Sequence, residues 1–179
     1  MKKLLLLLTL FIVSALHAQS PLKIVEENGS RGKRLNLVFL SEGYTSAEMG
    51  KFATDVNDAV NFLFTREPWI RYRSYCNIYR IEVASNQSGT DNGQSGGVRD
   101  TYFSTGFNTP LIEQLNTLAG TGSSRAYSLL NAHVPEYDIP IILINDPKYG
   151  GSGGPLALTT TDPTSAGILE HELGHPLPN

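Results

Sequence analysis

The chain has 179 residues, 40% of them apolar, 17% charged, a net charge of −3 and one cysteine. This excludes intrinsic disorder, and with no basic cluster it excludes a nucleic-acid partner. It also excludes an internal disulfide, so the fold must rest on packing, on metal, or on both.

Met1-Lys2-Lys3 is a basic start, followed by an apolar run from Leu4 to Val13 and a small-residue stretch around Ser14 to Ala18. That is the pattern of a secretory signal peptide over residues 1–18, cut before Gln19. The run is shorter than the ~20 residues of a membrane span, and no cysteine stands at the cleavage point to carry a lipid, so no membrane anchor is expected. A secreted or periplasmic protein follows. Residues 19–179 are enough for one domain with a packed core.

Residues 35–40 (Leu-Asn-Leu-Val-Phe-Leu) read as a buried strand and Ser41-Glu42-Gly43-Tyr44 as a turn. Thr45-Ser46-Ala47-Glu48 has capping-box spacing, and the helix after it runs to about Phe64. Its core face carries Phe52, Val56, Ala59, Val60 and Leu63, and Pro68 bars any extension. Residues 76–84 form a second strand with Tyr79, Ile81 and Val83 on one face. Cys76, among apolar and aromatic neighbours, is expected to be a buried, inert thiol.

Residues 86–100 are rich in Gly, Ser, Asn and Asp and read as a long surface loop. Its Asp91, Asn92 and Asp100 are oxygen donors, but not at EF-hand spacing. Residues 110–118 and 123–132 read as two short helices, with His133 a surface or C-cap residue at the end of the second. Residues 138–144 form a third strand, apolar enough at 141–144 to be central. The glycine-rich run 148–154 lacks the Gly-Lys-Ser/Thr ending of a phosphate loop. It is a turn or the rim of a cleft where a substrate strand pairs with a sheet edge, and 155–160 is expected to be that edge. Strands interleaved with helices give an α/β layered domain with a mixed twisted sheet.

The last helix starts at Asp162 (N-cap) and Pro163 and runs to His175. Ala166, Leu169 and Leu173 form one stripe, and His171 and His175 another. The spacing His171-Glu172-Leu173-Gly174-His175 sets two imidazoles one turn apart with a carboxylate beside them. Those residue types supply two Zn²⁺ ligands and a general base for hydrolysis. A closed catalytic zinc site takes a third protein ligand, and none of Asp162, Glu170 or His133 suits that place. Pro176 disfavours helical geometry at His175.

Five segments taken in order resemble the M64 (IgA) peptidase family of secreted bacterial metallopeptidases. They are Asn36-Leu37-Val38-Phe39-Leu40-Ser41-Glu42-Gly43-Tyr44-Thr45, Asn77 to Ser85, Ser88-Gly89-Thr90-Asp91, Asn145 to Gly154, and Glu170 to His175. The resemblance spans about Leu35 to His175. It implies a zincin-like fold, peptide-bond hydrolysis of a protein or peptide substrate, His171 and His175 as zinc ligands, and Glu172 as the acid/base that activates a zinc-bound water. Family members continue past the second histidine with a glycine-containing turn, a further ligand and more of the fold. Here Asn179 follows four residues after His175, so the expectation is an N-terminal portion of the domain with little or no activity. The rival expectation is a non-enzymatic extracellular binding domain or a non-functional fragment.

Overall fold

A computed structural model describes residues 20–92, 97–107 and 112–172. Its centre is a six-stranded sheet in the order β1-β3-β2-β6-β8-β7. The strands are β1 (Leu22–Glu26), β2 (Leu35–Glu42), β3 (Cys76–Ile81), β6 (Ile139–Ile144), β7 (Gly151–Ser152) and β8 (Ala157–Thr160). β3, β2, β6 and β8 run parallel, whereas β1 and β7 close the two edges antiparallel. A small hairpin, β4 (Thr105–Phe107) with β5 (Asn116–Leu118), stands beside the β7 edge. The expected α/β class and mixed sheet are both present.

Helices cover both faces. The pleat of β2 sends Leu37 and Phe39 to one side and Val38 and Leu40 to the other. The first side meets α1 (Met49–Leu63) through Phe52, Val56, Val60 and Leu63, and α3 (Ser165–Glu172) through Leu169. The second side meets α2 (Gly122–His133) through Ala126 and Leu130. Each fully buried side chain of this kind contributes about 1.5–3 kcal/mol relative to exposure. With a helix layer on each face, the parallel strands can be apolar throughout, and every residue of β6 is buried.

The capping box forms as expected: Glu48 Oε2 accepts from Thr45 N at 2.8 Å, and a single 3₁₀ turn (Ser46–Glu48) leads into α1. Two expectations need correction. Residues 110–118 do not form a helix in their described part: Leu115 N closes a turn on Ile112 O, and Asn116–Leu118 pairs with β4. Cross-strand pairing outweighs a weak local helical preference there. Residues 155–160 are not the edge either. β8 lies inside the sheet, and the glycine-rich run supplies the edge strand β7.

Candidate active site

The site is built from the end of β8 outward. After Thr160 the chain turns through Asp162, whose Oδ1 accepts from Thr164 N at 2.8 Å and also from the Thr164 hydroxyl. The Thr164 hydroxyl, then its amide, hold the Asp162 carboxyl below the usual carboxylate range. Ser165 N reaches Asp162 O at 2.9 Å and starts α3. Asp162 therefore organises the turn that precedes the helix; the helix itself starts at Ser165, two residues later than the expected start at Pro163.

α3 is seated at three places. Ser165, fully buried, accepts from Gly150 N at 3.3 Å, and its hydroxyl lies 2.8 Å from that of Thr160. Leu169 enters the core against α1. Glu170 meets Arg66, in the turn that follows α1, at 3.3 Å in a solvent-facing pair worth at most about 1 kcal/mol. Between these points the helix lies so close to β7 that a Cβ on Gly151 would be 2.5 Å from Ile168 Cγ2. Only glycine admits that approach without a shift.

His171 follows Leu169 by two positions, about 200° around the helix, and is exposed. It opens on a groove of about 570 Å³ whose walls include Leu115, Tyr149, Gly151 and Ile168. Glu172 is the last residue of α3, and His175 lies outside the described residues. An exposed imidazole thus stands beside an open groove, on a helix fixed by its other face.

The family model for IgA peptidase M64 matches residues 24–179. The chain belongs to the M64 peptidase family. No curated protein matches it. The M64 match covers nearly everything the structure describes, including α3 and both walls of the groove.

The other candidate donors of this M64 family member sit elsewhere. His133 ends α2, across the sheet from α3, and its carbonyl accepts from Arg31 Nη1 at 3.1 Å. It cannot join His171. Asp91 accepts from the amide of Arg99, Asp100 from Asn86 at 2.8 Å, and Asn92 donates to Asp146 at 3.2 Å. Among the described residues these groups tie the two ends of the 86–100 loop to each other and to Asp146. Among the described residues no group of three or more His, Cys, Asp and Glu is placed to hold a metal, and no helix is long and apolar enough to cross a membrane.

The edge reading of the glycine run is modified. Gly151 N already donates to Gln114 O at 3.1 Å, so that amide is taken up by the approach to β5. Two residues that sequence reasoning missed frame the same region. Glu42 is completely buried at the end of β2. Asn116 is buried beside Gly150, and neither atom of its amide has a hydrogen-bond partner among the described residues.

Proposed function

We propose that this M64 family member is a secreted, zinc-dependent metallopeptidase that hydrolyses peptide bonds, with a zincin-like arrangement around α3. The observation that carries the reading is the position of His171: a solvent-facing imidazole on a seated helix, lining a peptide-sized groove, in a chain of peptidase family. Export by residues 1–18 fits the extracellular action expected of such an enzyme.

The donor chemistry fits zinc. His171 and His175 are four residues apart, the spacing of one helical turn, and imidazole is a preferred zinc ligand. When bound, Zn²⁺ polarises the scissile carbonyl and lowers the pKa of water. The chain's own residues do the rest. Glu172 takes a proton from the attacking water and returns it to the departing amine. α3 and the groove wall hold the substrate backbone beside His171, which removes much of the entropic cost of alignment.

The test is metal content by mass spectrometry together with cleavage of a mixed fluorogenic peptide library. The expected result is zinc bound by the chain and, with only two ligands supplied by the motif, weak turnover that a chelator abolishes. His171→Ala should lose metal. Glu172→Gln should keep metal and lose about 10²-fold or more in kcat. A folded chain that binds no zinc and cleaves nothing would sink the reading.

A further inference from the structure

Glu42 is a buried carboxylate that the proposed chemistry does not use. Its Oε1 accepts from Thr101 Oγ1 at 2.7 Å, Thr105 N at 2.9 Å and Thr105 Oγ1 at 2.9 Å. Its Oε2 accepts from Phe103 N at 2.8 Å. No Lys or Arg among the described residues forms an ion pair with it. A buried carboxylate is costly unless its lone pairs are filled, and here a single five-residue stretch fills them. The same stretch is held from its other side, where a Cβ on Gly122 of α2 would lie 2.0 Å from Phe103 O. The segment is clamped, and the carboxylate is one jaw.

What the clamp holds is the wall of the groove. Thr105, bonded twice to Glu42, is the first residue of β4 and pairs with Leu118; Phe107 pairs with Asn116. The chain immediately before β5 meets the sheet edge, with Leu115 opposite Gly151 and Gly151 N on Gln114 O. Leu115 and Gly151 both line the groove at His171. From carboxylate to groove, every link is a backbone ladder or a hydrogen bond.

We propose that Glu42 is a positioning residue: it fixes the β4–β5 hairpin against β7, and so sets the width of the groove beside His171 without touching substrate. That this groove is the substrate cleft rests on the peptidase reading; that Glu42 sets the wall does not. Glu42→Gln keeps the shape but turns an amide donor toward groups that are themselves donors. The hairpin should loosen while the core stays intact.

Hydrogen exchange on the full chain, with and without the substitution, tests this. The expected result in Glu42→Gln is exchange about tenfold or more faster at Thr105, Phe107 and Gly151, with β2, β6 and α1 unchanged. Thr101→Val, a milder change that removes one donor, should move the same amides in the same direction by about threefold. It serves if Glu42→Gln does not fold. Unchanged exchange at those amides overturns the proposal, as does equal acceleration across the whole sheet, which would make Glu42 a general core residue. Where the parent cleaves peptides, Glu42→Gln should raise KM more than it lowers kcat. A parent that cleaves nothing, with the exchange result as expected, removes the peptidase reading and leaves the role of Glu42 in the wall standing.

Discussion

Gly151 of β7 and Ile168 of α3 are in contact at backbone range: a Cβ on the glycine would fall 2.5 Å from Ile168 Cγ2 and 2.7 Å from Leu158 O. The glycine run is therefore a docking surface for the helix that carries His171, and not simply a flexible turn.

Gly151→Ala should destabilise the fold by about 1–3 kcal/mol, because the added methyl has to displace either the helix or the neighbouring strand. Ile168→Ala removes half of that conflict at its own cost in lost packing. The two changes made together should cost less than the sum of the single ones. Urea unfolding of the four proteins measures the coupling, and simple additivity would show that the helix is not seated on this glycine.

Glu48 predicts a loss of stability in acid. Burial works to raise its carboxyl, but hydrogen bonds from the amide and hydroxyl of Thr45, and from Ser88 and Asn145, outweigh it and hold the group below its ordinary 4.5. The folded value lies below the unfolded one. The contribution is therefore present above the unfolded value and disappears as pH falls through the folded one. Glu48→Gln should be less stable than the parent at about pH 7, and the two curves should converge toward about pH 3. Parallel curves over that range would rule the linkage out.

The Cys76 thiol should be silent in the native protein. It is 1% exposed, and burial, with smaller effects from Glu26 and Asp138, pushes it up to about 11. Thiolate is the reactive form, so alkylation at about pH 8 should proceed only as fast as the chain opens. Adding denaturant below the unfolding midpoint should accelerate labelling in step with the opening equilibrium. Rapid stoichiometric labelling of the folded protein would contradict the burial.

Asn116 offers a stabilising change. Its amide is buried and without partners among the described residues, so it bears a desolvation penalty that an apolar side chain of similar volume avoids. Asn116→Leu should raise the unfolding free energy by about 1–2 kcal/mol. A drop in stability would mean that the amide is satisfied in solution.

Features coded by neighbours in sequence were legible. Thr45 and Glu48 announce the start of α1 at a spacing of three, and Phe52, Val56 and Val60 mark its buried face. Asp162 and Leu169 place α3 and its inward side. What escaped depends on distant partners. The donors to Glu42 lie 59 to 63 residues further on, so nothing in Ser41-Glu42-Gly43 shows the carboxylate turning inward. Asn116-Thr117-Leu118 becomes a strand because β4 stands opposite. β7 takes the edge because Gly151 can slip between α3 and β8, a matter of clearance and not of local propensity. His171 was found from its motif; its groove was not, since the walls come from separate segments.

The seat of α3 is assembled from α1, β7 and β8, and all of them precede the helix in the chain. β2, in the middle of the sheet, is completed only when residues 76–81 and 139–144 arrive, so the sheet's pairings are long-range and slow to form. During synthesis, the segment bearing His171 leaves the ribosome after its platform and has nothing to dock on until the strands have joined. A helix ordered in this way is the last part of the described fold to settle, so its groove takes shape only after the sheet is complete.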